Sequence, residues 1–249
     1  MNTNTQTSPK VALVTGGSRG IGAAIVERLA RDGFTVVINF AGSTAEAEAL
    51  AARVTKAGGR ALTAQADVSD SAAVARMFEA AETAYGGVDV LVNSAGIMKL
   101  STLAETEDAV FDQQVAINLK GTFNTLREAA RRLRNGGRII NVSSTQVALT
   151  HPTYATYAAT KAGVEAMTHV LTKELRGRNI TVNAVAPGPI ATQLFLHGKT
   201  EEVIQRYTKL PPLERLGQPE EVAAVVSMLA GPDGSWVNGQ VLRVNGGVA

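Results

Sequence analysis

The chain has no cysteine among its 249 residues. That excludes disulfides, thiolate metal sites and a cysteine nucleophile, and it suits a reducing compartment. Histidine is scarce too. His151, His169 and His197 are the only three, and their spacing matches no metal-ligand pattern. No carboxylate cluster stands out either, so no metal site is expected. No stretch approaches the ~20 apolar residues of a membrane span. The first nine residues are polar and lack the apolar core of a secretory leader. G-x-S-x-G is missing and no His–Asp pair presents itself, which sets aside a hydrolase triad. A formal net charge of +2 argues neither for nor against a polyanionic partner. The expectation is a soluble cytoplasmic protein with neither nucleic acid nor membrane as partner. It has a disordered tail over 1–9 and one domain over 10–249.

What is present fits one sizeable globular α/β domain: 45% hydrophobic and 18% charged residues. Strands alternate with helices. Apolar Val11 to Val14 enters Thr15-Gly-Gly-Ser-Arg-Gly-Ile-Gly22, followed by a helix over 21–31. Strand, glycine turn and helix together make a phosphate site: glycines admit an anion, and the helix start supplies free N–H groups. The spacing, Gly16-x-x-x-Gly20-x-Gly22, is not the commoner G-x-G-x-x-G; without a ligand it is simply a tight turn.

The second strand, 34–40, ends in Asn39-Phe40-Ala41-Gly42-Ser43 with no acid. Folds that select NAD place a carboxylate there for the ribose 2′-hydroxyl. Arg19 in the glycine turn and the missing acid suit a 2′-phosphate, so NADP(H) is predicted; the alternative is that Arg19 is a solvated loop charge. Further strands are expected at 60–66, 88–92, 139–142, 180–186 and 240–244, with helices at 44–57, 70–85, 107–133, from 155, and 219–229. This βα alternation implies a parallel, doubly wound Rossmann-type sheet of about seven strands with helices on both faces. Ligands of such sheets lie at the strands' carboxyl ends, where Asp67-Val68, Asn93 to Gly96 and Pro187-Gly188 also fall. Asp67 is either an adenine acceptor or a helix cap. The apolar, irregular segment 190–216 reads as a substrate lid or as a helical hairpin covering core.

Ser144, Tyr157 and Lys161 are the candidate chemical groups; taken alone, Tyr-x-x-x-Lys occurs by chance on many helices and reads as structural. Ser144 follows the apolar run Ile139 to Val142. Tyr157 and Lys161 stand four apart on a helix and share a face. An ammonium nearby would favour the phenolate and lower the phenol's pKa, tuning it for proton transfer. Asn118, within an apolar helical face, is either a structural bond to neighbouring backbone or an anchor for water or for Lys161.

Together these motifs resemble the short-chain dehydrogenase/reductase family, in order and at family spacing: Thr15 to Gly22, Asp67-Val68, Asn93-Ser-Ala-Gly96, Asn118, Ser144, Tyr157-x-x-x-Lys161, Pro187-Gly188 and Val244-Asn-Gly-Gly247. Ser144 rather than Ser143 lies thirteen residues before Tyr157, as the family's serine does. The likeness is greatest to 3-oxoacyl-[acyl-carrier-protein] reductases and related carbonyl reductases. Ser94, where the family commonly has a second Asn, is a small departure.

The resemblance implies hydride transfer between NADP(H) and a ketone or alcohol, with Tyr157 as acid or base. Lys161 lowers its pKa and binds the ribose, Ser144 polarises the carbonyl, and Asn118 holds a relay water. The implied cofactor site takes in Gly16, Ser18, Arg19, Gly20, Ile21 and Gly22; Asn39, Phe40, Ala41 and Ser43; Asp67 and Val68; and Asn93, Ala95 and Gly96. Tyr157, Lys161, Pro187 and Gly188 complete it, with Ile190 and Thr192 on the nicotinamide amide. A homotetramer is implied as well. The guessed walls, among them Met98, Gln146, Tyr154 and Leu194 to Leu196, favour a hydrophobic ketone. Arg131, Arg132, Arg176 and Arg178 would meet an acyl carrier protein or be solvated surface. A non-catalytic nucleotide sensor on the same fold is expected to lack a catalytic residue, and all four positions are filled.

Overall fold

The structure, a computed structural model, describes residues 9–249; the tail expected over 1–9 therefore lies, but for Pro9, outside the described residues. Seven strands form one sheet: β1 (Val11–Thr15), β2 (Thr35–Phe40), β3 (Arg60–Gln65), β4 (Val90–Asn93), β5 (Arg138–Val142), β6 (Thr181–Pro187) and β7 (Val241–Val244). They run in the order β3-β2-β1-β4-β5-β6-β7, each pair parallel. The helices are α1 (Gly20–Arg31), α2 (Thr44–Lys56), α3 (Ser71–Tyr85), α4 (Asp108–Gln114), α5 (Gly121–Arg132), α6 (Gln146–Leu149), α7 (Ala155–Glu174), α8 (Gln193–Leu196), α9 (Glu201–Thr208) and α10 (Pro219–Ala230).

A parallel sheet needs cover on both faces, so its central strands are buried along their length and mostly apolar, with Thr15, Asn93 and Asn141 towards their carboxyl ends. Within each strand the period of two still sorts the side chains. Ala12, Val14, Val36, Ile38, Val90 and Val92 pack with Ile25, Leu29 and Leu50 of α1 and α2 and with Val226 and Leu229 of α10. Val11, Leu13, Val37, Leu91 and Ile139 pack the other way, with Phe78 of α3, Leu126 of α5 and Leu171 of α7. Strand order reverses between β1 and β4, which opens a crevice at their carboxyl ends.

Three segments refine the sequence expectations. The strand expected from 88 begins at Val90, because Asp89 is engaged at the sheet's lower edge: its carboxylate accepts from Val11 N at 2.7 Å. The stretch 107–133 reads from sequence as one long helix or two abutting ones, and the structure has two helices joined end to end. α4 and α5 are continuous through a π turn, Val115–Lys120. The segment expected to be irregular, 190–216, contains α8 and α9, and both its ends are pinned. Ile190 bridges Gly217; Ala191 N donates to Gly217 O at 2.9 Å, and Gly217 N to Pro189 O at 3.0 Å.

The glycine turn is steric in origin. Gly16 has φ 60°, and a Cβ there would sit 2.7 Å from Ala95 Cα. A Cβ on Gly22 would fall 2.1 Å from Gly16 O, so α1 can start this close to β1 only with glycine at that position. Gly22→Ala is therefore expected to destabilise the fold by about 1–3 kcal/mol in urea titration. Gly42→Ala, with no atom within 4 Å of the added methyl, should stay within about 0.5 kcal/mol of the parent.

Candidate active site

β5 ends at Val142, and the chain turns through Ser143 and Ser144 into α6. The two serines part there. Ser143 Oγ donates to Glu165 Oε1 at 2.6 Å. Ser144 Oγ accepts from Gln146 N at 3.2 Å and lies on the Tyr157 phenol. α7 brings Tyr157 and Lys161 to the same place. Lys161 Nζ donates to Val142 O at 2.7 Å and stands 5.8 Å from the centroid of the Tyr157 ring. Burial brings the Lys161 ammonium down to about 8 from its ordinary 10.5.

The phenol behaves otherwise than its spacing from Lys161 suggests. Burial holds the Tyr157 pKa above its ordinary value of 10.0, and the Ser144 hydroxyl only partly offsets this. The ammonium is directed at the Val142 carbonyl and the face of the ring. Desolvation of the phenolate therefore outweighs any help from the charge.

Asn118 is fully buried in the π turn. Its Oδ1 accepts from Ile97 N at 2.8 Å. Its Nδ2 donates to Ile97 O at 2.9 Å and Thr160 Oγ1 at 3.3 Å. It thus ties the loop after β4 to α7, the bond to neighbouring backbone that its position allows. A π turn commonly marks a functional place in a helix. This one is crowded: a Cβ on Gly121 would meet Val68 Cγ2 at 2.5 Å, and one on Gly96 would lie 3.3 Å from Asn118 Oδ1 and 3.6 Å from Lys161 Nζ.

The glycine turn is braced from β2. Asn39 is buried; its Oδ1 accepts from Gly16 N at 3.3 Å, while its Nδ2 donates to Ala64 O and Ala66 O at 3.1 and 3.0 Å. Its amide is wholly engaged in shaping the turn. Phe40 and Ile190 place their side chains in the core. Asn93 turns into a buried network, donating to Asn141 Oδ1 at 2.9 Å and accepting from Thr125 Oγ1 at 2.7 Å. Asp67 bonds Ser69 N and Oγ, both at 2.8 Å, and the helix cap falls to Asp70, which accepts from Ala72 N. Pro187 O accepts from Thr145 N at 3.0 Å, and Gly188 N donates to Val244 O at 3.0 Å. Thr192 caps α8, accepting from Phe195 N at 3.2 Å. It reaches the glycine turn, since a Cβ on Gly20 would be 3.6 Å from its Cγ2.

Ser18 and Ile21 are half-buried, Ala41 is exposed, Ser43 is half-buried, and Ala95 and Gly96 form the half-buried rim beside Asn118. Arg19 occupies the position before α1 without a side-chain capping bond; its side chain is exposed and has no ion pair among the described residues. An open cradle at the start of α1, a free guanidinium beside it and no acid at the end of β2 fit a dinucleotide with a 2′-phosphate.

Sequence reasoning missed several residues that hold the site. Thr15 Oγ1 accepts from both Ser94 N and Ala95 N, at 3.1 and 3.2 Å. Its only local signal was its place at the end of β1. Tyr207 was placed in the lid but without a partner; its hydroxyl lies 3.3 Å from that of Tyr154. Tyr154 in turn packs edge-on to Tyr157 at 6.3 Å, and Phe195 to Tyr207 at 5.3 Å. Among the described residues no group of three or more potential metal ligands occurs, and no helix is long and apolar enough to cross a membrane.

With that geometry in place, known proteins can be set beside it. A family model described as enoyl-(acyl carrier protein) reductase matches residues 16–249. A short-chain type dehydrogenase/reductase of Picea abies is 46% identical, the match covering 96% of this chain and 92% of that one. An NADPH-dependent aldehyde reductase-like protein, chloroplastic, of Arabidopsis thaliana is also 46% identical, over 96% of this chain and 93% of its own. Among solved structures, a short chain dehydrogenase from Burkholderia cenocepacia in complex with NADP superposes with a TM-score of 0.91 at 37% identity, covering 96% of this chain and 97% of that one.

The lowered pKa of Lys161 has a stability consequence of definite sign. Below pH ~8 both folded and unfolded chains hold the proton, and the buried charge destabilises the fold in full. Between about 8 and the ordinary 10.5 only the unfolded chain holds it, so stability lost at low pH is regained as pH rises. Urea unfolding of the wild type and Lys161→Met across that window should show the wild type gaining on the variant by up to about 3 kcal/mol. A gap independent of pH would contradict the assignment.

Proposed function

Because this chain belongs to the short-chain dehydrogenase/reductase family and is an NADP-dependent enzyme of it, we propose that it reduces the carbonyl of a free hydrophobic ketone. The observation that carries the reading is the convergence of Ser144, Tyr157 and Lys161 at the carboxyl edge of the sheet, beneath the aromatic side chains of 151–207. NADPH, when bound, supplies the hydride; the protein supplies orientation and the proton.

Each residue then has a part. Ser144 Oγ donates a hydrogen bond to the substrate oxygen. Tyr157 Oη gives that oxygen its proton. A phenol holds its proton at neutral pH, so Tyr157 enters the reaction as the acid, although the burial that raises its pKa makes it a weaker one. Lys161, held on Val142 O, presents its remaining donors to the ribose, and Asn118 fixes the loop that borders it. The glycine turn and Arg19 hold the phosphates. The segment 190–216, pinned at Ile190 and Gly217, acts as the lid, with the Tyr154–Tyr207 bond at its edge.

Of the four arginines that would meet a carrier protein, Arg176 is exposed with no side-chain partner among the described residues, but Arg131, Arg132 and Arg178 support a free ketone over a carrier-bound one. Arg131 and Arg132 pair with Glu128, and Arg132 also with Glu79 and Glu82. Arg178 bonds Asn135, Ala130 O and Leu133 O. These three are internally answered. They sit at the amino-terminal edge of β5, a strand of five residues that separates them from Ser144 by about 16 Å. The Arabidopsis relative's name as an aldehyde reductase-like protein also supports a small carbonyl substrate. A cytoplasmic homotetramer completes the proposal; Phe123 on α5 and Val170 on α7, 45% and 54% exposed, are apolar side chains that an interface between copies would cover.

Two measurements check these roles. Tyr157→Phe should lose about 10²–10⁴-fold in kcat for acetophenone reduction while its NADPH affinity stays near that of the wild type. Near-normal turnover would contradict the acid role. Arg19→Ala should weaken NADPH binding by roughly 10–100-fold, the worth of a charge-assisted hydrogen bond, and leave NADH binding unchanged in fluorescence titration.

A further inference from the structure

Gln146 is anchored beside the reacting groups, and its side chain is only half bonded. Its backbone N–H donates to Ser144 Oγ at 3.2 Å, which fixes it next to the oxygen-binding end of the site. Its Nε2 pairs with His151 Nδ1 at 3.2 Å. Its Oε1 is buried and has no hydrogen-bond partner among the described residues. A buried amide oxygen without a donor is uncommon and destabilising.

The aromatic side chains packed around His151 do not answer it. Tyr154 and Tyr207 lie 6.3 and 6.4 Å from the imidazole, centroid to centroid, and their hydroxyls bond each other at 3.3 Å. The wall that joins Ser144 to the lid is therefore aromatic, and Gln146 Oε1 is a buried acceptor in it without a donor. Apolar rings accept a flat hydrophobic body, and the free oxygen needs an O–H or N–H from that body. A site with such an acceptor discriminates against the analogue that lacks the donor, because the acceptor then stays unpaired.

We propose that Gln146 Oε1 is a specificity-determining acceptor, and that the preferred substrate is an aromatic ketone carrying a hydroxyl group on its ring. This rests on the carbonyl-reductase reading and adds the second functional group of the substrate. Ser144 and Tyr157 address the carbonyl oxygen, Val147 and Leu149 are apolar, and the Tyr154 and Tyr207 hydroxyls are engaged with each other.

The test measures kcat/KM with NADPH for acetophenone and for its ortho-, meta- and para-hydroxy derivatives. In the wild type at least one hydroxylated isomer should exceed the parent ketone by about tenfold. Gln146→Leu should bring that ratio to near one, and Gln146→Glu, which keeps an acceptor at the same place, should retain most of it. Gln146→Met replaces the leucine variant where that does not fold. Equal kcat/KM for all four ketones, or an unchanged ratio in Gln146→Leu, overturns the proposal; a residue that only supported the loop would lower all four values together. Absence of turnover on every ketone would instead overturn the carbonyl-reductase reading. In that case the affinities of the four ketones for the NADPH complex, read from nicotinamide fluorescence, decide the hydroxyl preference, and equal affinities overturn it.

Discussion

A single buried ammonium, and the one carbonyl that answers it, holds the arrangement together. Lys161 is 6% exposed in a protein interior that disfavours an unpaired charge. Its bond to Val142 O docks α7 on the carboxyl end of β5. Once that contact is made, helical geometry decides the rest. Tyr157 lies one turn earlier on the same face, against Ser144, which β5 itself delivers. Farther along α7, Thr168 accepts from Asn141 at 2.9 Å, so the register of helix on strand is fixed at two points. The cost of burying Lys161 shows in its depressed pKa. The result is a phenol, a hydroxyl and an ammonium held together at the carboxyl edge of the sheet by contacts within the protein.

The crevice around them is made of loops, and loops need fixing. Here buried side chains do it across the sheet's edge. Thr15 holds the loop after β4 to β1, Asn39 holds the glycine turn to β2 and to the end of β3, and Asn118 holds the loop after β4 to α7. Each of these residues satisfies backbone groups that would otherwise be left bare at the strand ends. The polar residues in this part of the chain thus divide into two groups. Asn39, Asn93, Asn118 and Thr15 turn inward and set shape. Arg19, Ser144, Tyr157 and Gln146 keep capacity for a ligand.

Much of this was legible in the sequence, and the rest was not for physical reasons. The βα alternation and the apolar strands specified a doubly wound sheet, because a strand buried on both faces must be mostly apolar along its length. Tyr157 and Lys161 were legible because four residues make one helical turn. Asn39 looked like a ligand-facing residue because its partners, Gly16, Ala64 and Ala66, are more than twenty positions away in the chain. The π turn at Asn118 left only Gly121 as its trace, and that glycine answers to Val68 in another element. The direction of the Tyr157 pKa could not be read from spacing. It is a contest between burial, which raises it, and the Ser144 hydroxyl, which lowers it, and burial wins.

The central claim is that this geometry delivers hydride to a carbonyl carbon while Tyr157 protonates the oxygen. The most direct measurement is the fate of deuterium from NADPH labelled at both C4 positions, with acetophenone as substrate and the product alcohol analysed by NMR. The account predicts one deuterium on the carbinol carbon and an exchangeable solvent proton on its oxygen. An alcohol without deuterium at that carbon, or label found elsewhere in the product, would contradict it.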